Sequence, residues 1–364
     1  DGTIWQWDYW QAGMAIIDFT NPSARAWFRT HLQRLQSLGI DSFKTDFGER
    51  IPHKNVVYHD PTVSPQRMHN YYTLLFNQLV YTTLHPSSLL FARSATTGSQ
   101  KYPVHWSGDC ESTFPALAEN LRGGLSLSLC GFIFWASDIG GFEGTPPPAV
   151  YKRWVQFGLL CTHSRLHGSG SYRVPWLYGE DCVAVLRECV KRKIALTPYL
   201  LAAGLEGGRT GTPVMRPLLL EFPADENVWG VDREFMLGGG VLVAPVLGEG
   251  GQVRFYVPLG KWVSWFDHGK TYEGGRWYTE THGFDTLPLL IRPGAVIPLN
   301  WKLDRPEGDP LDGLEVLVNG PVEGEVKVEV VDPERPGEVL KVVTVRQEGG
   351  VVVADEGVKV VWIQ

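Results

Sequence analysis

The chain has 364 residues, 43% hydrophobic and 20% charged, enough for two or three domains with a sizeable core. Its net charge of −7 gives no electrostatic case for binding nucleic acid or an anionic membrane. Five cysteines without CxxC spacing suggest neither a zinc site nor a disulfide framework, and no apolar run reaches the length of a membrane span. With Asn21 followed by Pro22 there is no glycosylation sequon, and these points together predict a cytoplasmic protein. The opening Asp1-Gly2-Thr3, with no Met and no leader, reads as a chain cut from something longer or processed.

Ala24, Trp27, Phe28, Leu32, Leu35 and Leu38 recur at helical spacing, with Thr20 or Asn21 as N-cap, and Gly39 ends that helix. Residues 41–46 then read as a strand. Met68, Tyr72, Leu75 and Leu79 form the stripe of a second helix. Residues 89–92 are a short buried strand that delivers Arg93, and Val104 leads into Asp109. Residues 116–125 read as helix, and 131–135 as a strand ending near Asp138. The Pro146-Pro147-Pro148 run marks a loop, and residues 154–160 a helix. Residues 163–167 are a further strand end, and 183–199 a closing helix.

Five strand-then-helix units argue for a parallel sheet with helices packed outside, where function collects at the C-terminal strand ends. Asp46, Arg93, Asp109, Asp138 and His167 all fall there. After Gly211 helical periodicity gives way to short alternating segments at 241–243, 253–257 and 289–291, as in an antiparallel β-sandwich. From about residue 302 a Val-rich stretch reads as a smaller β-domain.

Two carboxylates at the ends of different strands suit chemistry on a sugar, one attacking or stabilising a developing cation and one delivering a proton. Equally, Asp46 and Asp109 fit as loop or capping aspartates. Lys44 lies two residues before Asp46, so in a strand both side chains share a face, either to keep Asp46 ionised or as a structural ion pair. Trp106 beside Asp109 would desolvate that carboxyl and raise its pKa. The content of 14 Trp, 13 Tyr and 16 Phe suits a site that packs sugar faces on rings, and suits a core just as well.

Lys44-Thr45-Asp46-Phe47-Gly48-Glu49-Arg50-Ile51-Pro52 resembles the nucleophile motif of the α-xylosidase branch of glycoside hydrolase family 31. The α-glucosidase branch has wording closer to W-x-D-M-N-E there. Phe91-Ala92-Arg93-Ser94, His105-Trp106-Ser107-Gly108-Asp109, Phe134-Trp135-Ala136-Ser137-Asp138-Ile139-Gly140-Gly141-Phe142 and Ser164-Arg165-Leu166-His167-Gly168 also match, in the family's order. The resemblance implies an α/β chain: part of a (β/α)8 TIM barrel over residues 1–209, a proximal β-sandwich over 210–300 and a distal β-domain over 301–364. By this match 41–46 is the fourth barrel strand. Strands one to three, a preceding β-sandwich and the residues that select xylose over glucose then belong upstream of residue 1. Five strands cannot close such a barrel, and open edges invite association with a second copy.

The activity implied is that of a retaining exo-α-glycosidase cleaving terminal α-xylosidic bonds by double displacement, on α-xylosides or xyloglucan fragments. The alternatives are an α-glucosidase or other member of the family, or an inactive sugar-binding remnant. By the resemblance Asp46 is the nucleophile and Asp109 the acid/base. Arg93 holds sugar hydroxyls or orients a carboxylate, His167 holds a sugar hydroxyl, and Asp138 either binds sugar or braces His167. Trp106 and Trp135 are sugar walls, with Trp5 and Trp10 as wall or core. Glu49 and Arg50 are expected in supporting ion pairs. No metal or organic cofactor is required.

Overall fold

The computed structural model describes residues 2–102 and 104–363. The chain divides into two units, Asp1–Trp106 and Ser107–Gln364.

The first unit opens with a hairpin of two short antiparallel strands, β1 (Gln6–Trp7) and β2 (Met14–Ala15). Helix α1 (Pro22–Ser37) follows, and Asn21 is its cap: the Asn21 side-chain oxygen accepts the Ser23 and Ala24 amides at 2.9 and 3.4 Å. Pro22 suits the first turn, where its missing N–H would have had no partner. Strand β3 (Phe43–Thr45), helix α2 (Pro65–Tyr81), strand β4 (Leu90–Ala92) and strand β5 (Val104–Trp106) complete the unit. β3, β4 and β5 run parallel in that spatial order. The predicted α2 stripe is the core: Met68, Tyr72, Leu75 and Leu79 bury against Phe19, Ile51 and Tyr58. The α1 stripe is only half used. Leu32 packs with Val80 and Leu90, whereas Trp27, Leu35 and Leu38 stay exposed, because only the face around Phe28 and Leu32 meets α2 and β4.

The second unit contains α3 (Phe114–Leu129), β6 (Phe134–Ala136), β7 (Asp138–Ile139), α4 (Pro148–Gly158) and β8 (Arg165–Leu166). β7 and β8 pair in parallel. The expected proline loop is shorter than its sequence suggests. Pro148 is the first residue of α4, where its fixed φ is preorganised for a helix. The single closing helix expected over 183–199 is two helices, α5 (Glu180–Ala195) and α6 (Thr197–Thr210), which meet at Leu196. The break sits where Pro198 enters the first turn of α6, since proline cannot continue a helix interior.

The remaining chain is β-structure. β9 (Met215–Arg216), β10 (Phe235–Leu237), β11 (Val241–Val243), β12 (Gln252–Val257), β13 (Lys261–Ser264), β14 (Thr271–Glu273), β15 (Arg276–Thr281) and β16 (Leu289–Ile291) come first. They form an antiparallel sheet in the order β14-β13-β16-β11-β10-β9 and a separate β12-β15 ribbon. β17 (Val296–Leu299), β18 (Glu315–Asn319), β19 (Glu325–Val331), β20 (Val339–Glu348), β21 (Val351–Ala354) and β22 (Lys359–Ile363) follow. They give the sheets β17-β18-β22 and β19-β20-β21, which enclose a core of Val316, Val318, Val330, Val343 and Val345. β18 and β22 run parallel, and β17, although it precedes residue 300, pairs with β18.

Candidate active site

In the first unit the parallel register fixes the site. Thr45 lies opposite Ala92, so one step further along each strand Asp46 stands level with Arg93. Lys44 and Asp46 share a face, as the alternation of a strand requires, with Lys44 Nζ 3.3 Å from Asp46 Oδ2. Arg93 reaches the other oxygen, Nη1 to Asp46 Oδ1 at 3.2 Å, and its Nη2 lies 3.0 Å from Glu49 Oε1. The Phe47 amide donates to Asp46 Oδ1 at 2.9 Å. Partial burial pushes the Asp46 carboxyl up, but Lys44, the Phe47 amide and Arg93 together outweigh it and hold the group below its ordinary value. Asp46 is therefore an ionised carboxylate with both oxygens oriented. Lys44 is itself fixed by the Trp106 ring, whose centroid lies 4.3 Å from Nζ, and Trp106 packs on Phe91 at 4.7 Å.

A buried polar chain beneath these strand ends keeps them in place. Thr45 Oγ1 donates to Asn77 Oδ1 at 2.7 Å, and Asn77 Nδ2 donates to the Ser94 carbonyl at 2.9 Å. Ser94 Oγ meets Thr73 Oγ1 at 2.6 Å and donates to the Phe47 carbonyl at 2.8 Å. Thr73 and Asn77 lie four residues apart on α2, one turn above the other, so one helix face supports the ends of both strands. Gly48, at φ 98°, admits no side chain: a Cβ there would come within 2.4 Å of Ser94 Oγ.

The loop after Asp46 is strained. Phe47 and Arg50 adopt φ of 57° and 58°, a left-handed conformation that costs about 1–3 kcal/mol and persists only where neighbours impose it. The Phe47 ring lies between Trp10, stacked at 5.2 Å, and the Arg93 guanidinium at 4.6 Å. Trp10 Nε1 also donates to the Glu49 carbonyl at 3.2 Å. Trp10 thus clamps the loop. Glu49 makes its expected ion pair, whereas Arg50 makes none among the described residues and lies exposed on a pocket rim.

In the second unit Asp109 follows Gly108 and is partly exposed. The residue after it, Cys110, accepts the amides of Phe142 and Glu143 at 2.8 Å each, and Ser112 binds the Glu143 carbonyl through both its amide and its hydroxyl. The acid-bearing segment is thereby laced to the turn after β7. Gly141 makes this approach possible, since a Cβ there would lie 2.6 Å from Ser112 Cα. Phe142 in turn packs on His167, ring centroids 5.4 Å apart. Asp138 is fully buried and paired with Arg165, Nε to Oδ1 at 2.7 Å, which braces the strand that presents His167.

Trp135 is not an open sugar wall. It is 2% exposed and sits in the apolar core, 6.2 Å from Phe157 and so close to α3 that a Cβ at Gly124 would strike its ring. Its strand alternation sends the ring outward to the helices. Sequence reasoning also missed Arg173, which is buried and donates to the carbonyls of Gly141, Phe142 and Gly144 at 2.8, 3.0 and 2.9 Å. An arginine in a Ser-Tyr-Arg loop carries no motif that marks it. Thr73 and Asn77 did carry a signal, two polar residues one turn apart beside the apolar stripe of α2. Among the described residues no cluster of three or more His, Cys, Asp or Glu is placed to hold a metal ion, and no helix is long and apolar enough to cross a membrane.

Residues 1–203 match the glycosyl hydrolases family 31 TIM-barrel domain, and residues 211–297 match the glycosyl hydrolase family 31 C-terminal domain. An alpha-xylosidase of Emericella nidulans is 63% identical across 100% of this chain and 50% of its own length. Alpha-xylosidase XylQ of Lactiplantibacillus pentosus is 41% identical across 98% of this chain and 48% of its own. The solved structure of a cycloalternan-forming enzyme from Listeria monocytogenes, in complex with a pentasaccharide substrate, superposes with a TM-score of 0.85 at 28% identity. It covers 95% of this chain and 35% of that one. The chain spans about half the length of the curated relatives it matches. Matched over residues 1–203 and 211–297 by the family's barrel and C-terminal domains, the chain belongs to glycosyl hydrolase family 31.

Proposed function

We propose that the chain carries the catalytic carboxylates of a retaining exo-α-xylosidase, with Asp46 as nucleophile and Asp109 as acid/base. The observation that carries this reading is the Asp46 carboxylate, kept ionised between Lys44 and Arg93 at a strand end. A nucleophile must be unprotonated and correctly aimed, and the two cations and the Phe47 amide supply both conditions. Asp46 attacks the anomeric carbon to form a covalent glycosyl-enzyme intermediate while Asp109 protonates the departing oxygen. Asp109 then takes a proton from water as the water displaces Asp46, and the α-configuration is retained. Two relatives named as α-xylosidases, at 63% and 41% identity, favour xylose as the sugar released.

Hydrolysis of an aryl α-xyloside and an aryl α-glucoside by the purified chain tests the reading. Xyloside turnover that Asp46→Ala abolishes is expected. Asp109→Ala should lose roughly 10²–10⁴-fold on an alkyl xyloside and far less on a nitrophenyl xyloside, whose leaving group needs no proton. Faster cleavage of the glucoside would overturn xylose as the substrate. Full activity in Asp46→Ala would overturn the assignment of the nucleophile.

A further inference from the structure

Beside the Asp46 loop, within the first unit, is a cavity of about 300 Å³, at the lower end of ligand-pocket sizes. Its walls are the rings of Trp5, Trp7 and Tyr9 with Ile51 and Pro52, and its charged lining is Arg50 and Lys54. Trp7 and Tyr9 pack at 4.9 Å, so the hairpin presents aromatic surface rather than isolated rings. The indole N–H groups of both Trp5 and Trp7 are screened from solvent and have no hydrogen-bond partner among the described residues. His69, also in the lining, is fixed by an Nδ1 contact of 2.7 Å to the Ile51 carbonyl.

The pocket is mechanically joined to the catalytic carboxylate. Arg50 and Lys54 follow Asp46 on the same loop, and Trp10, from the turn of the hairpin that bears Trp7, grips that loop through Phe47 and Glu49. Its chemistry is one-sided. Aromatic faces suit the C–H face of a sugar ring, while the polar groups are cations, imidazoles and indole donors, with no carboxylate side chain among the described lining residues. A neutral sugar can use the Tyr9 hydroxyl and the imidazoles of this lining, but it leaves the two cations without a counter-charge. A sugar bearing a carboxylate supplies that charge.

We propose that this pocket binds an acidic sugar unit of the substrate, one bearing a uronic-acid carboxylate. This rests on the exo-α-xylosidase reading above: the terminal xylose occupies the nucleophile, so any further sugar lies on the leaving-group side. The carboxylate pairs with Arg50 and Lys54, and the ring lies against the indoles.

Calorimetric titration of the Asp46→Ala chain with cellobiouronic acid and with cellobiose isolates that carboxylate, because the two disaccharides otherwise match. The acidic one should bind about tenfold tighter or more at low salt, and the preference should shrink in 0.5 M salt. Lys54→Ala and Arg50→Ala should each erase most of the preference, and Trp7→Ala should weaken both ligands. Equal affinity for the two disaccharides, or a preference that survives both cation substitutions, overturns the proposal. Because Lys54 is exposed, its variant remains a fair test even where Trp7→Ala fails to fold. An aryl α-xyloside has no second sugar, so its hydrolysis, measured with Asp46 intact, should be unchanged by Lys54→Ala. Loss of that hydrolysis in the parent chain, with acid-selective binding intact, would count against the catalytic reading and not against the pocket.

Discussion

Asp46 is useful only as an anion, and its neighbours decide the pH at which it becomes one. Replacing Lys44 with Met removes the strongest of the influences that lower its pKa, so the carboxyl should titrate at higher pH. The acidic limb of the pH–rate profile for aryl α-xyloside hydrolysis should move upward accordingly, with turnover near neutral pH reduced less than at pH 5. A profile that keeps its acidic limb would show that Lys44 is only a structural partner. Glu234 is the opposite case. It is 2% exposed, Oε1 accepts the Tyr256 amide at 2.8 Å, and burial pushes its pKa up to about 8. Because the folded value lies above the unfolded one, this group favours folding fully only below about pH 4 and loses that contribution as pH rises through about 8. Glu234→Gln should therefore flatten a stability decline of up to about 1.4 kcal/mol per pH unit between pH 5 and 8, read by urea unfolding. Asp46 was legible in the sequence because a glycine-ended strand and a lysine two residues back mark it. Glu234 was not, because nothing in Asp232-Arg233-Glu234-Phe235 says that the carboxyl faces inward.

At the scale of elements, short strands carry the site and α2 holds them to register. β3 and β4 have three residues each, too few for ladder hydrogen bonds alone to fix their ends. Asn77 supplies what is missing by joining Thr45 on one strand end to Ser94 on the next. Asn77→Leu should cost about 1–3 kcal/mol, since it leaves the Thr45 hydroxyl and the Ser94 carbonyl buried without partners. It should also lower kcat for the xyloside, because Asp46 and Arg93 are each the immediate chain neighbour of one of those anchors. A thermal shift with kcat unchanged would confine Asn77 to stability. The stripes of α1 and α2 and the strands near 43, 90, 104, 134 and 165 follow from periodicity and from Gly or Pro boundaries. The join between α5 and α6 does not. Apolar spacing runs on through Leu196 and Tyr199, and the only sign of the break is Pro198, which also fits the first turn of a new helix.

On the scale of the second unit, helices and β-structure share one interior. Trp154 and Phe157 of α4, Tyr199 of α6, and Phe235, Leu242 and Leu290 of the sheet belong to the same buried cluster. Polar contacts reinforce it. Arg153 donates to the carbonyls of His282 and Gly283 at 2.7 and 2.8 Å, and Gln156 to that of Phe284 at 2.8 Å. Tyr199 donates to the Leu237 carbonyl at 2.7 Å and accepts the Gly240 amide at 2.8 Å, plugging the turn between β10 and β11. Denaturant unfolding followed at tryptophans in the helical part and in the sheet should give coincident transitions, and Tyr199→Phe should move both by about 1–3 kcal/mol. The change of composition after Gly211 was visible in the sequence, but the shared interior was not, because it is made by residues from about 40 to 130 positions apart. The consequence concerns recombination. A chimera that joins the helical half of this chain to the sheet of a distant relative at residue 211 would cut no strand and no helix, and would still separate Arg153, Gln156 and Tyr199 from the carbonyls they were shaped to meet. Such grafts should succeed only when those three residues travel with the sheet they serve.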